Sequence, residues 1–193
     1  MNSMPKRVAI LGSGKGTNAA AICSYALQHP SDYAVSLIVS TDATAGICNV
    51  AGQFQVPVEV VEHGAEFGNN LIGVLQTHQI EILVLAGFLK LLPSMVIDTL
   101  QGNVLNIHPA LLPEFGGKGM YGIHVHRAVI ASKVHVTGAT VHLVTNAYDD
   151  GMIISQHKID VPEGISPEDL QRQVQVVEHE LYPKAITVFI RNR

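Results

Sequence analysis

Residues 7 to 28 read "RVAILGSGKGTNAAAICSYALQ", an apolar run, a glycine-rich turn and then apolar positions recurring at helical spacing. Strand, turn and helix in that order open a crossover unit, and crossovers join parallel strands. The unit recurs. "AVSLIVS" (34–40), "VPVEVVE" (56–62), "IEILVLA" (80–86) and "NVLNI" (103–107) read as strands, while "AGICNVAGQF" (45–54), "NLIGVLQTHQ" (70–79) and a short segment near 92–100 read as helices. This alternation predicts an α/β fold: a Rossmann-like, mostly parallel sheet with helices on both faces. After residue 108 the pattern changes. "VHVTGATVHLVT" (134–145) and "MIISQHKIDV" (152–161) read as two strands joined by "NAYDDG", an antiparallel extension in the C-terminal part. A last helix opens at Ser166, with Pro167 at its first position, Glu168 and Asp169 in the first turn, and Leu170, Val174, Val177 and Leu181 on one face.

The bulk numbers bound the function. With 193 residues, 47% hydrophobic and 15% charged, the chain can bury a sizeable core and reads as one domain, 1–193. A net charge of −4 and 12 Lys+Arg without a basic cluster leave no electrostatic footprint for nucleic acid or a membrane surface. Ile80 to Ile97, the longest apolar stretch, is cut by Glu81, Lys90 and Pro93 and fails as a membrane span. The N-terminal "MNSMPKR" leads into too few apolar residues for a leader. Cys23 and Cys48 form no disulfide framework, which suits a reducing cytoplasm. A small-molecule substrate and a monomer or weak homodimer are the expectation.

The turn "GSGKGTN" (12–18) lies where free backbone N–H groups and the helix dipole favour an anion such as phosphate. Its glycines, at 12, 14 and 16, miss the dinucleotide register, because Thr17 stands where the third glycine belongs, although Asp42 could mimic the ribose-binding acid. A nucleoside-kinase loop fails too, because its first glycine would be Ala9, inside the strand. A tight turn without a ligand stays open.

"NVLNIHPALLP" (103–113) ends a buried strand in an amide and an imidazole, Asn106 and His108, which alternation places on one face. Polar groups together at a strand mouth point to a site. Taken singly, each has a blander reading: a satisfied structural histidine, a turn asparagine, and for Asp149–Asp150–Gly151 a hairpin turn. His124 and His126 alternate in a strand-like way, but no Cys or carboxylate completes a ligand set, so no metal is expected.

Together, Gly-x-Gly-x-Asn after the first strand, "LAGFLKLL" (85–92), "LNIHPALLP" (105–113), "TVHLVTNAYDDG" (140–151) and "QVVEHELYP" (175–183) resemble the phosphoribosylglycinamide formyltransferase family in order and spacing. "N-x-H-P-x-L-L-P" is shared with other enzymes that use 10-formyltetrahydrofolate. The terminal "EHELYP" and the Gly16–Thr17–Asn18 turn resemble the purine enzyme more closely.

The resemblance implies formyl transfer from 10-formyltetrahydrofolate, a co-substrate, to 5-phosphoribosylglycinamide. That reaction passes through a tetrahedral intermediate, so the catalyst must stabilise an oxyanion and take a proton from nitrogen. Asn106 would donate an amide hydrogen and a protonated His108 a charged one. Asp149 would favour the imidazolium and relay the proton through water, and His142 would support Asp149. Gly16, Thr17 and Asn18 would hold the phosphate, with Lys15 a weaker partner, and Gln175 and Glu178 would face the glycinamide. The folate would lie along Phe88, Leu89, Lys90, Leu91 and Leu92 and against 145–149. On this view 1–102 forms a phosphate-binding Rossmann-like half and 103–193 a catalytic and folate-binding half. Three departures stand out: the loop "PEFGGKGMYGIHVH" (113–126) is longer than the common form and carries Glu114 where a basic residue is frequent, Lys90 replaces a common arginine, and Asp150 stands where glycine is common. Asp149 is preferred to Asp150 for its distance from His142. An Asp149–His108 pair is also expected to hold the imidazole protonated further up the pH scale than an isolated histidine.

Overall fold

A computed structural model describes residues 4–193, so Met1 to Ser3 of the N-terminal stretch lie outside the described residues. The elements are β1 Lys6–Gly12, α1 Thr17–Gln28, β2 Tyr33–Ser40, α2 Gly46–Phe54, β3 Val58–Val60, α3 Phe67–Thr77, β4 Ile82–Leu85 and α4 Ser94–Thr99. Then follow β5 Val104–His108, α5 Ile123–Ala131, β6 Val136–Leu143, β7 Ile153–Asp160 and α6 Pro167–Arg191. The strands make one sheet in the order β3-β2-β1-β4-β5-β6-β7. Its first five members are parallel, while β6 and β7 pair antiparallel.

The unbroken apolar runs follow from covering both faces. Along β1, Val8 and Ile10 enter a core shared with α1, α2, α5 and α6, whereas Ala9 and Leu11 enter a second core with α3 and α4. Ser166 accepts the Asp169 N–H and caps α6, which runs on well past Leu181 to Arg191. The fully buried Tyr182 on α6 points its hydroxyl at the carbonyls of Leu85 and Leu105, 2.9 and 3.1 Å away, and so ties that helix to β4 and β5.

One element departs from the sequence reading. His124 and His126 do not alternate in a strand; they lie on α5, with Val125, His126 and Val129 turned inward. The glycines just before it mask the helical period, which then covers only nine residues.

Candidate active site

The sheet order reverses at β1, which lies between β2 and β4, and crevices outside the carboxyl ends of parallel strands form at such points. A cleft of about 530 Å³ opens there, reaching from Asn18, Gln175 and Glu178 past Asn106, His108 and His142 to residues 87–92, 144–145 and 147–149. Both halves of the chain therefore line one cleft.

The glycine turn has a packing cause as well as a polar one. A Cβ on Gly12 would sit 2.3 Å from the Ala86 carbonyl, and one on Gly16, which has φ 81°, would sit 2.8 Å from the Ile47 Cα. Gly16 occupies the N-cap of α1 without a side chain to cap it, which leaves the first-turn N–H groups open to an anion. Across the gap Gln175 donates to the Thr17 hydroxyl and Asn18 donates to Glu178, both at 2.9 Å. Burial pushes the Glu178 carboxyl up, and the Asn18 amide pulls it back part of the way.

Antiparallel pairing of β5 and β6 sets Asn106 opposite His142 and His108 opposite Thr140. Both histidines are buried. His142 Nδ1 donates to the Leu143 carbonyl at 2.8 Å, so in the neutral ring Nε2 accepts from the Asn106 amide at 3.1 Å. That bond fixes the Asn106 amide. His108 Nε2 donates to the Phe115 carbonyl at 2.8 Å, and its Nδ1 faces Asp149 Oδ2 at 3.4 Å. Asp149 Oδ1 lies 3.6 Å from His142 Nε2, and Oδ2 also accepts the Gly117 N–H at 2.9 Å. Asp149 reaches this position from a left-handed backbone, φ 55°, while its neighbour Asp150 is exposed.

The charges differ from expectation. Burial lowers the His108 pKa below the ordinary histidine range, and Asp149 and the Phe115 carbonyl only partly offset it. An imidazole removed from water loses more of its charged form's solvation than one nearby carboxylate restores here. For Asp149 burial acts upward, but His142, His108 and the Gly117 N–H outweigh it and hold the carboxyl below the usual carboxylate range.

All five residues 88–92 line the cleft, yet they divide. Phe88 and Leu92 are buried, Phe88 with its ring centroid 6.0 Å from Phe67 and 5.6 Å from His63, whereas Leu89 and Leu91 are exposed. Lys90 is also exposed. Lys15 is exposed as well and is not among the residues lining the cleft.

The sequence does not single out Thr140, and it raises His126 only as a metal ligand. Thr140 is fully buried; its hydroxyl donates to the Ala110 carbonyl at 2.7 Å and accepts from Leu112 N and Gln156 Nε2 at 3.0 and 2.9 Å, pinning the segment after His108. His126, 1% exposed, lines the cleft with an unpartnered Nδ1, and burial pushes its pKa down to about 4. The inward alternation of "TGATVHL" was the available signal for Thr140. Nothing local marks His126 as a residue of this cleft. Among the described residues no group of three His, Cys, Asp or Glu side chains is placed to hold a metal ion, and no helix is long and apolar enough to cross a membrane.

Comparison with known proteins identifies the family. The formyl transferase family profile matches residues 6–186. Phosphoribosylglycinamide formyltransferase of Bacillus subtilis is 31% identical over 186 residues, covering 94% of this chain and 93% of that protein. The chloroplastic phosphoribosylglycinamide formyltransferase of Arabidopsis thaliana is 34% identical across 97% of this chain, which spans 66% of the plant protein's length. In the crystal structure of glycinamide ribonucleotide transformylase 1 from Symbiobacterium toebii the same fold superposes with a TM-score of 0.91 at 32% identity, over 99% of this chain and 90% of that one. This chain belongs to the formyl transferase family and, within it, to the phosphoribosylglycinamide formyltransferases.

Proposed function

We propose that this chain transfers the formyl group of 10-formyltetrahydrofolate to the amine of 5-phosphoribosylglycinamide, a step of purine synthesis carried out in the cytoplasm without a metal. The observation that carries the reading is the Asn106–His142–Asp149–His108 cluster, in which a single carboxylate lies within 3.6 Å of both imidazoles at the floor of the cleft.

The acceptor nitrogen attacks the formyl carbon, and negative charge develops on the formyl oxygen. Asn106, with one amide hydrogen directed at His142, has a second for that oxygen. Each such donor is worth on the order of 10²–10³ in rate. His108 supplies the charged donor when protonated, and Asp149 favours that state and relays the proton from nitrogen through water. The Phe115 carbonyl holds His108 Nε2, so that loop bond yields when the ring turns to the oxyanion. Collapse breaks the carbon–nitrogen bond to the folate, whose nitrogen takes up a proton.

The other roles are assigned from the family resemblance, with Asn18, Gln175, Glu178 and residues 88–92 lining the cleft and Gly16 and Thr17 at the start of α1 beside it. Backbone N–H groups at Gly16, Thr17 and Asn18 hold the phosphate, and Gln175 and Glu178 face the glycinamide. The pterin lies on the backbone of Leu89, Lys90 and Leu91 between the apolar walls of Phe88 and Leu92. Residues 1–102 then supply the phosphate turn and the 88–92 strip of the folate site, and 103–193 supply the catalytic groups and the 145–149 side of the folate site.

The test incubates the purified chain with both substrates and follows folate and ribotide together. Formylated ribotide should appear one-for-one with tetrahydrofolate. Release of formate without any need for ribotide would make the chain a hydrolase, and tight ribotide binding without turnover would leave a sugar-phosphate-binding module.

A further inference from the structure

Thr17 and Asn18 lie side by side at the start of α1, and both are tied to α6, but by bonds of opposite sense. Gln175 Nε2 donates to Thr17 Oγ1 at 2.9 Å, which uses a lone pair and leaves the hydroxyl hydrogen available for an anion. Asn18 is instead the donor, giving an Nδ2 hydrogen to Glu178 Oε2 at 2.9 Å, while its carbonyl oxygen is buried without a partner. The amide orientation follows from the bond itself, because the reverse orientation would set a carbonyl oxygen against the carboxylate. A phosphate held by the same amide nitrogen would lie alongside that carboxylate, and like charges so close repel. The Asn18 side chain is therefore poorly suited to an anion and well suited to aiming a carboxylate.

We propose that Asn18 is a positioning residue for Glu178: its side chain orients the carboxylate toward the acceptor's amine and makes no bond of its own to the phosphate. This rests on the acceptor assigned above and sharpens it, since the turn then recognises phosphate through its backbone and Thr17 alone. The bond also favours the ionised form of Glu178 against the burial that opposes it. An ionised carboxylate accepts from the amine, whereas a protonated one competes with it as a donor.

The test uses the full chain, with ribose 5-phosphate as a probe that carries the phosphate and lacks the amine. In Asn18→Ala the KM for the ribotide should rise about tenfold or more, because Glu178 is then misaligned and its charge-assisted bond to the amine is weakened or lost. Ribose 5-phosphate affinity by calorimetry should stay within about twofold, since the lost bond is not to phosphate. The acidic limb of kcat/KM should move to higher pH, because Glu178 loses the bond that favours its charge. Asn18→Ala/Glu178→Gln should be no worse than Glu178→Gln alone, as expected where one residue acts through the other. Equal loss of affinity for ribose 5-phosphate and ribotide would overturn the proposal, as would independent, multiplying losses in the double variant. Thermal melts check folding, and Asn18→Ser, which keeps a short donor, should recover part of the loss if Ala folds poorly. Wild-type chain that fails to formylate the ribotide would sink the proposed reaction instead, and calorimetry with ribose 5-phosphate would still report what Asn18 binds.

Discussion

The cleft has two kinds of wall. Asn106, His108 and His142 stand on adjacent strands, with both histidines buried and their bonds to Asn106, the Phe115 carbonyl and the Leu143 carbonyl between 2.8 and 3.1 Å, while their contacts with Asp149 are longer, at 3.4 and 3.6 Å. Asp149, Phe115 and the 116–122 segment belong to loops, and several of their residues adopt left-handed backbone: Asp149 at φ 55°, Phe115 at 56°, and Gly117 and Gly119 at 97° and 90°. The strand wall provides fixed donors, because sheet register sets where they point. The loop wall provides the groups that bias those donors, the carboxylate on one side and a carbonyl on the other. On the proposed mechanism, catalytic geometry and catalytic charge thus come from different kinds of backbone.

The sharpest way to break this division is Asp149→Asn, which keeps the loop's shape and removes its charge. The expected loss in kcat is about 10²–10⁴, the usual worth of a general acid–base partner. The sign of the accompanying shift is fixed. Asp149 raises the His108 pKa against burial, so the variant's imidazole should titrate lower still, and residual activity should fall off at lower pH than in wild type. An NMR titration of His108 beside the kcat/KM profile reads this, and an unmoved titration would show that the loop supplies shape alone.

Thr140→Val tests the strand wall with almost no change of volume. The variant removes an acceptor from Leu112 N and Gln156 and a donor from the Ala110 carbonyl, each worth roughly 1–3 kcal/mol when buried and left unsatisfied. Urea unfolding should give a loss of about 3 kcal/mol, with kcat changed less than in Asp149→Asn. A destabilisation near zero would mean that the segment after His108 is not held from β6.

The smallest effect concerns His126, whose folded pKa of about 4 lies below the ordinary histidine value. A depressed imidazole contributes stability that is present above about pH 6.5 and is lost as the pH falls toward the folded value, because the unfolded chain takes up the proton first. Between pH 7 and pH 5 the loss from this residue should be roughly 2 kcal/mol. Denaturation curves of wild type and His126→Gln at the two pH values measure it. The same slope in both proteins would assign the pH dependence to the other histidines.

These contrasts also explain what could be read from the chain itself. The parallel half was legible because its strands are buried on both faces, and a continuous apolar run between turn residues has few other uses. The helix that follows the glycine-rich turn ends at Gln28, as the apolar spacing indicates. In the C-terminal half "EFGGKGMYGIHVH" hid a helix, because glycine-rich sequence tells little about where a chain goes. The site divides likewise. Asn106, His108 and His142 fall on alternating strands whose faces a period of two predicts, and the structure sets all three at the cleft. The reach of Asp149 to both rings depends on a left-handed loop residue, and the depression of the His108 pKa on its three-dimensional surroundings; neither is a local property of sequence.

The Tyr182 hydroxyl, held at the carbonyls of Leu85 and Leu105, reaches further than its place in the core. It clamps α6 one turn beyond Glu178 to the residue just before Asn106. The helix proposed to face the acceptor and the strand proposed to face the formyl carbon are thereby tied together. The span from the phosphate turn to the oxyanion donor becomes a fixed gauge, set by covalent geometry and two buried hydrogen-bond acceptors. Such a gauge selects by length: an acceptor with one methylene more between ribose and amine would bring its nitrogen past the reacting carbon, however well both of its ends were bound.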